Sequence, residues 1–332
     1  MAIDLLKLKP QQISRDLKGK FTLLYGEPKS GKTTLASEIE NVIIASFEMG
    51  SNALHNVLVA PMQKWKDWKD TVRQLIRDKD KEVEGSDGKT LQETMSTVAI
   101  DTVDEAYKLC EKWVCQQEGV DNIKDIPWGG GYKMVDEEFM SGFRELAYNG
   151  YGLFFISHST EKTMKDDTGK EYNKSVPALP SRPYNLINKM VDTIVYLRQI
   201  PVQIGDTIEQ RRYLFFRGDD RFLAGSRFHY IVPKVELSYQ NLLKAICDAV
   251  DAEVEHKGGA VSNEVNPYIQ KDFDGMMDEA KQIWGKVVQA EKTELALTIL
   301  NEEFGKPTKF SEILPDQIDQ FDRALTRIKE LV

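Results

Sequence analysis

The chain has 332 residues, of which 41% are hydrophobic and 29% are charged, and its formal charge at pH 7 is −9. This composition is typical of a globular protein, and no apolar run reaches the length of a transmembrane helix, which argues against disordered, fibrous and membrane-spanning classes. The first ten residues lack the basic and then apolar build of a signal peptide, so we expect a cytoplasmic protein with no membrane partner.

The negative charge is distributed unevenly along the chain. Residues 251–332 contain 10 Lys and Arg against 17 Asp and Glu, a net of −7, which leaves a net of −2 for residues 1–250. The N-terminal part can therefore carry a local basic surface although the whole chain is acidic. The three cysteines form no C-x-x-C pair and leave one over, so neither a disulfide framework nor a zinc site is predicted from Cys110, Cys115 and Cys247.

The most informative stretch is a glycine-rich loop that follows the apolar run Phe21–Tyr25 and precedes a helical segment. Its spacing, G-x-x-x-x-G-K-T, is that of the phosphate-binding P-loop, in which backbone N–H groups surround a phosphate, a lysine contacts the β- and γ-oxygens and a threonine binds Mg²⁺. A chance match in a surface turn is disfavoured by the strand before it and the helix after it. We therefore predict ATP and Mg²⁺ as cofactors, with the nucleotide held by Gly26, Glu27, Pro28, Lys29, Ser30, Gly31, Lys32, Thr33 and Thr34.

Two later apolar runs deliver carboxylates at their ends. Asn41–Phe47 is followed by Glu48, and Thr97–Ile100 is followed by Asp101. Because parallel strands present their carboxyl ends at one edge of a sheet, both carboxylates are expected beside the P-loop. Asp101 is predicted to bind Mg²⁺ with Thr33 in the Walker B role, and Glu48 to activate the attacking water. The alternatives are a helix N-cap for Asp101 and a salt-bridge partner for Glu48.

A further predicted strand, Gly152–Ile156, ends in Ser157 and His158. A polar side chain at this strand end could sense the γ-phosphate, although a histidine in an ordinary loop is the alternative reading of His158. The chain as a whole alternates short apolar runs with amphipathic helices. This pattern predicts an α/β fold with a mostly parallel central sheet and helices on both faces.

The order of these parts resembles the RecA-like recombinase fold over roughly residues 15–235. The chain is most similar to compact phage RecA-like ATPases of the single-strand annealing and recombination type, a group of phage nucleotide-binding AAA-family proteins. Two positions depart from related patterns, because bacterial recombinases have Gln where this chain has His158, and extended AAA ring ATPases have Glu where it has Thr102. The resemblance implies an ATPase that acts on single-stranded DNA as a homo-oligomer, a ring or a filament, with shared ATP sites.

In that family two loops hold single-stranded DNA, and they correspond by position to Gly119–Lys133 and Ser159–Arg182. The first contains three glycines flanked by aromatic residues that could stack on bases. The second has five basic and four acidic side chains, a net of +1, so a solvated hairpin is the alternative. The implied DNA-binding residues are Trp128, Tyr132, Lys133, Lys162, Lys165, Lys170, Lys174 and Arg182.

A strand at Asp192–Leu197 and a hairpin precede the glycine-broken segment Arg217–Arg227. In RecA-like relatives a basic residue of the neighbouring subunit completes the ATP site. Arg217 and Arg227 are the candidates for this role, and a plain surface hairpin is the alternative.

Three regions are expected from these patterns. The ATPase core is predicted to span residues 1–250 and to end with a helix over Tyr239–Val250; residues 251–267 have the composition of a linker, and residues 268–332 form an acidic module of three helices. We expect the module to dock a recombination or single-strand-binding protein partner or to support assembly. Plain support of the core is the alternative.

The function predicted from the sequence is Mg²⁺-dependent ATP hydrolysis coupled to single-stranded DNA in phage recombination, annealing or repair. Three alternatives stay open at this point. One is an ATP-driven DNA motor or helicase loader in replication or packaging, the second is a small-molecule P-loop kinase, and the third is a nucleotide-gated binding module with slow turnover.

Overall fold

The computed structural model describes residues 13–14, 17, 19–50, 54–86, 88–205, 207–258, 261–262, 273–314, 317–329 and 331. The chain divides into two compact units, Gln12–Ile269 and a C-terminal unit that begins at Gln270. The strands of the described residues are β1 Ile13–Ser14, β2 Phe21–Gly26, β3 Val42–Ser46, β4 Leu58–Pro61, β5 Thr97–Asp101, β6 Gly152–Lys165, β7 Glu171–Pro177, β8 Thr193–Ile204, β9 Thr207–Phe215, β10 Gly225–Ser226, β11 Lys234–Glu236 and β12 Val261–Ser262. The α-helices are α1 Lys32–Ser37, α2 Trp65–Arg77, α3 Leu91–Thr94, α4 Val103–Glu118, α5 Gly130–Tyr148, α6 Ser181–Met190, α7 Tyr239–Lys257, α8 Phe273–Gln289, α9 Thr293–Phe304 and α10 Ile318–Lys329.

One large sheet organises the first unit. Its strand order is β11-β9-β8-β2-β6-β5-β3-β4, and the six central strands from β8 to β4 pair in parallel. The P-loop strand β2 lies between β6 and β8, and β6 separates it from β5. The predicted α/β fold with a mostly parallel P-loop sheet is confirmed.

The central strands are buried on both faces, because every residue of β2, β3 and β5 is buried. Such strands need a layer of helices on each side. One face packs against α2, α4 and α5 through a cluster that includes Trp65, Trp68, Phe139, Phe143 and Phe155. The other face packs against α1 and α7 through a cluster that includes Leu24, Leu35, Ile44, Leu242 and Ile246.

Two elements begin or end where the sequence pattern did not place them. Helix α5 starts at Gly130, so the predicted loop Gly119–Lys133 consists of short turns followed by the first helical turn. Gly131 permits this, since a Cβ there would lie 2.6 Å from the carbonyl O of Ile123. Helix α7 continues to Lys257, which makes the first part of the predicted linker helical. Residues 259–260 and 263–267 of that linker lie outside the described residues.

The predicted loop Ser159–Arg182 is mostly a β-hairpin. Strand β6 continues past His158 to Lys165 and pairs antiparallel with β7, from Ser159 opposite Pro177 to Lys165 opposite Glu171. Strands β8 and β9 form a second long hairpin, from Tyr196 opposite Phe215 to Ile204 opposite Thr207. Both hairpins extend strands whose first halves lie in the central sheet.

The C-terminal unit is a small helical bundle of α8, α9 and α10. Its core contains Val287, Leu300, Phe321 and Ile328, each of which is buried. Pro315, predicted to open the third helix, lies outside the described residues. In the part of the chain that the structure describes, no helix combines the length and the apolar character needed to cross a bilayer.

Candidate active site

The site lies where the parallel strands end. Strand pairing places Gly26 of β2 opposite His158 of β6, and Asp101 of β5 opposite Ser46 of β3. Glu48 follows β3 by two residues. The side chains at these strand ends therefore share one edge of the sheet with the P-loop, as parallel topology requires.

The P-loop has the backbone of a phosphate-binding turn. Lys29 and Gly31 have positive φ angles of 61° and 108°, which turn successive backbone segments around one concavity. Gly26 cannot be replaced, because a Cβ there would lie 2.5 Å from the carbonyl O of Leu197. Helix α1 begins directly after Gly31 and adds the positive end of its dipole.

Lys32 is held inside the loop. Its side chain is only 5% exposed, and its Nζ donates to the carbonyl oxygens of Gly26, at 3.0 Å, and Glu27, at 2.8 Å. Burial lowers the pKa of Lys32, and the nearby carboxylates of Asp101, Asp104 and Glu48 oppose this shift. A bound triphosphate would supply the countercharge that this buried ammonium needs.

Thr33 and Asp101 form the predicted Mg²⁺ pair. The Thr33 Oγ1 donates to Asp101 Oδ2 at 2.8 Å. Burial raises the pKa of Asp101, while the Thr33 hydrogen bond and Lys32 act in the opposite direction. Mg²⁺ prefers oxygen ligands such as a hydroxyl and a carboxylate, and here the two oxygen atoms lie next to each other, so these residues fit the ion.

Two further atoms of the loop fit a nucleotide. The Ser30 Oγ is buried and has no hydrogen-bond partner among the described residues, so it is available to a phosphate oxygen. Arg212 of β9 donates from Nη1 to the carbonyl O of Ser30 at 3.1 Å. The carbonyl O of Thr34, the last predicted nucleotide-binding residue, accepts a hydrogen bond from Ser37 Oγ within helix α1. The loop therefore offers an unsatisfied hydroxyl and a nearby guanidinium to a phosphate.

Glu48 and His158 meet beside Thr102, the residue that follows Asp101. The Thr102 Oγ1 donates to Glu48 Oε1 at 2.7 Å, and His158 Nδ1 lies 3.5 Å from the same oxygen. The His158 Nδ1 also lies 3.1 Å from Asp104 Oδ2. The carboxylate of Glu48 is thus held at the P-loop edge of the sheet, beside the residue that follows Asp101.

Comparison with known proteins identifies the family. An AAA domain family, AAA_24, matches residues 18–228, which is more than half of the chain. The chain belongs to this AAA domain family. It is also 28% identical over 339 residues to the SPbeta prophage-derived uncharacterized protein YorG of Bacillus subtilis (strain 168), with 100% of this chain and 99% of that protein covered. A KaiC-like protein, PH0186, from Pyrococcus horikoshii OT3 matches with a TM-score of 0.33 at 12% identity, over 60% of this chain and 79% of that one.

The AAA domain assignment and the P-loop agree that the chain is a P-loop NTPase. The matched residues contain the whole P-loop, Glu48, Asp101 and His158. Sequence reasoning did not name Thr102, Asp104 or Arg212 as site residues. Thr102 and Asp104 directly follow the Walker B strand, which is a usable signal, whereas Arg212 reaches the P-loop only through the pairing of β8, β9 and the central sheet.

The predicted DNA-binding residues of the AAA domain lie in two places. Lys162, Lys165 and Lys170 are exposed on the β6–β7 hairpin, and Lys174 is half-buried there. Trp128 is fully exposed and has a positive φ of 60°.

The remaining members of that set have partners within the fold. Arg182 pairs with Asp136 and lies over the ring of Tyr132, 5.2 Å from its centroid. Lys133 lies 3.6 Å from Glu137. On the hairpin Lys165 also has a partner, since its Nζ lies 3.4 Å from Glu171 Oε1, and both Lys133 and Lys165 stay exposed.

The two arginines proposed to act across subunits have partners within this AAA domain. The Arg217 Nη2 donates to the carbonyl oxygens of Phe228, at 2.7 Å, and His229, at 2.8 Å. Arg227 donates to Asp192 Oδ1 at 3.1 Å and to the carbonyl O of Lys189 at 2.7 Å. A role in a neighbouring ATP site would require either side chain to leave these acceptors.

Proposed function

We propose that this P-loop NTPase is a Mg²⁺-dependent ATPase that acts on single-stranded DNA in phage recombination, annealing or repair. The observation that carries the ATPase part is the meeting of four strand ends: Lys32 and Thr33 after β2, Glu48 after β3, Asp101 on β5 and His158 on β6. The prophage origin of the Bacillus subtilis relative supports the phage setting.

The proposed chemistry assigns one task to each side chain. When bound at Thr33 and Asp101, Mg²⁺ would neutralise charge on the β- and γ-phosphates. Lys32 exchanges its loop carbonyls for phosphate oxygens. Glu48, oriented by the Thr102 hydroxyl, accepts a proton from the attacking water, and His158 contacts the γ-phosphate.

The β6–β7 hairpin is the proposed DNA-binding element. It begins one residue after His158, and the backbone N–H of Ala178 returns to the His158 carbonyl O at 2.8 Å. Lys162 and Lys174 lie directly opposite each other in this hairpin. Like charges in that position destabilise a hairpin, so the pair favours an anion such as a DNA phosphate as its partner.

Hydrolysis tests the proposed base. Glu48→Gln is expected to bind ATP normally and to lose about 10²–10⁴-fold in kcat, because a general base contributes about that much. The matched control is Glu40→Gln, because Glu40 is an exposed glutamate that, like Glu48, follows helix α1 in the sequence. Measuring ATP hydrolysis with and without single-stranded DNA, with Lys32→Ala as the inactive reference, completes the test. Unchanged kcat in Glu48→Gln contradicts the assignment.

DNA binding is tested by its salt dependence. Engaging five phosphates predicts a slope of log affinity against log salt of about −3.5 for single strands. Removing Lys162 and Lys174 together should make that slope less steep by about 1.4. The control removes Lys79 and Lys89, two lysines outside the hairpin. A slope near zero in the wild type, or equal slopes in both double variants, rules out the hairpin as the DNA-binding element.

The same experiments separate the alternatives. DNA-stimulated hydrolysis with strand displacement favours a motor or loader, and stimulation with annealing alone favours the recombination role. Hydrolysis that DNA leaves unchanged favours a small-molecule kinase, which would then transfer phosphate to an acceptor. ATP binding with negligible turnover favours a nucleotide-gated binding module.

Shared ATP sites are part of the proposal. Mixing Arg227→Ala chains with Lys32→Ala chains should restore activity in a homo-oligomer, because some sites then combine an intact P-loop with an intact arginine. The same mixing experiment applies to Arg217→Ala. Absence of rescue at every mixing ratio counts against a contribution from the neighbouring subunit.

The C-terminal unit is proposed to dock a recombination or single-strand-binding protein or to support assembly. An apolar groove of about 350 Å³ in this unit supports docking, and its lining includes Met277, Trp284, Leu297, Lys309 and Phe310. Deleting residues 270–332, which leaves helix α7 whole, should weaken partner binding or assembly, as measured by sedimentation. If neither changes, the unit has a supporting role only.

A further inference from the structure

A second cluster of metal-ligating side chains lies beside the P-loop. Glu48 follows β3, Asp104 lies in the first turn of α4, and His158 lies on β6. The His158 Nδ1 is 3.1 Å from Asp104 Oδ2 and 3.5 Å from Glu48 Oε1. One donor atom from each residue falls within 4.8 Å of the other two. Three separate elements of the fold therefore bring these donors together.

The cluster has more negative charge than its neighbours neutralise. Within the described residues, the ion pairs of Glu48 and Asp104 are with His158, and no Lys or Arg lies within ion-pair distance of either carboxylate. Lys32 acts on them only at longer range. Two carboxylates that share one imidazole leave at least one unit of negative charge without a close counterion.

One acceptor of the cluster is also unsatisfied. Asp104 is 7% exposed, and its Oδ1 is buried without a hydrogen-bond partner among the described residues. A single ring N–H can satisfy at most one carboxylate oxygen at a time, while two compete for His158 Nδ1. Buried carboxylate oxygens without donors are found where a cation binds.

We propose that Glu48, Asp104 and His158 form a binding site for a divalent transition metal ion such as Zn²⁺, distinct from the Mg²⁺ position at Thr33 and Asp101. Ligand atoms about 2.1 Å from one metal ion lie roughly 3.0–3.4 Å apart in octahedral and tetrahedral geometry. The two separations from His158 Nδ1, 3.1 and 3.5 Å, are close to this spacing. An imidazole nitrogen with two carboxylates selects Zn²⁺ over Mg²⁺, which prefers oxygen ligands alone.

The bound ion has a consequence for hydrolysis that rests on the proposed function. It would bind Glu48 Oε1, draw electron density from the carboxylate and so weaken Glu48 as the proton acceptor. ATP would still bind, because Lys32 and the P-loop backbone are not ligands. Zn²⁺ is therefore an inhibitor of turnover and not of nucleotide binding.

Calorimetric titration of the full chain with Zn²⁺ in the absence of nucleotide tests the site directly, and Co²⁺ absorption gives a second readout. We expect one equivalent to bind to the wild type, and binding at least 100-fold weaker in both Asp104→Asn and His158→Ala. Glu105→Gln, the next residue of the same helical turn, and His256→Ala are matched controls that should bind as the wild type does. Asp101→Asn should also bind normally, which separates this site from the Mg²⁺ position.

Several results would overturn the proposal: no binding by the wild type in the micromolar range, unchanged binding in His158→Ala, or loss of binding in Asp101→Asn. Circular dichroism identifies a variant that has not folded. In that case the Zn²⁺ affinity of the other ligand variant tests the proposal. The experiment distinguishes failure of the metal site from failure of the ATPase proposal. If the wild type does not hydrolyse ATP but binds Zn²⁺, and only the ligand variants lose that binding, the metal site is supported without the ATPase. A chain that hydrolyses ATP but binds no Zn²⁺ leaves the ATPase standing and removes the metal site.

Discussion

The hydroxyl of Tyr25 links the strand of the P-loop to the base of the β6–β7 hairpin. The side chain is fully buried, its Oη donates to the Leu223 carbonyl O at 2.6 Å, and it accepts from the Leu223 N–H at 3.1 Å. The Ser175 carbonyl O, on β7, lies 3.0 Å away as a second acceptor. The ring itself stacks on Tyr196 at a centroid distance of 4.8 Å.

Tyr25→Phe keeps the ring and removes only these hydrogen bonds. The Leu223 carbonyl O then loses the phenolic donor in a partly buried site, whereas the Leu223 N–H keeps its hydrogen bond to the Ser175 carbonyl O at 3.0 Å. An acceptor orphaned in this way costs about 1–3 kcal/mol. We expect the free energy of unfolding to fall by about 2 kcal/mol, since some water can reach the half-buried Leu223.

Urea unfolding followed by the fluorescence of the buried tryptophans Trp65 and Trp68 measures the loss. The matched control is Tyr107→Phe, whose ring is buried and whose hydroxyl has no hydrogen-bond partner among the described residues. Burial raises the pKa of Tyr107 to about 12, so its hydroxyl is neutral throughout the experiment. We expect the control to change stability by less than about 0.5 kcal/mol. Equal losses in the two variants, or no loss in Tyr25→Phe, would refute the proposed link.

Three further predictions follow from the charges and thiols of the fold. Burial raises the folded-state pKa of Asp101, so this group favours the fold at low pH and favours it less as pH rises through that pKa. In thermal shift assays at pH 8, Asp101→Asn should therefore raise the melting temperature of the nucleotide-free chain. The same variant should abolish the further rise in melting temperature that Mg²⁺ with ATP gives the wild type. Arg212→Ala removes the donor to the P-loop carbonyl and should weaken ATP binding about fivefold, or about 1 kcal/mol, in calorimetry, whereas Arg198→Ala should not. Burial raises the pKa of the Cys110 thiol far above its usual value, so N-ethylmaleimide should label the half-buried Cys247 well before Cys110, and mass spectrometry showing the reverse order would contradict the packing.

Local pattern was sufficient where function depends on consecutive residues. The P-loop was readable from its spacing, and the predicted strand Thr97–Ile100 matches β5, Thr97–Asp101. It was insufficient at Gly130 and Gly131, where three consecutive glycines indicated a flexible loop. The observed helix forms there because Gly131 packs against the backbone of Ile123, a contact that no local propensity encodes.

The amino-acid order alone determined the phosphate-binding loop, the alternation of strands and helices, and the carboxylates at two strand ends, because each depends on spacing within a few residues. The tertiary structure alone decided which distant side chains share a site. Asp104 meets His158 because β5 and β6 are neighbours in the sheet, and Arg212 reaches Ser30 because β9 lies two strands from β2. Such pairs are separated by tens to hundreds of residues, and strand order, which is set by the packing of the whole sheet, is the property that brings them into contact.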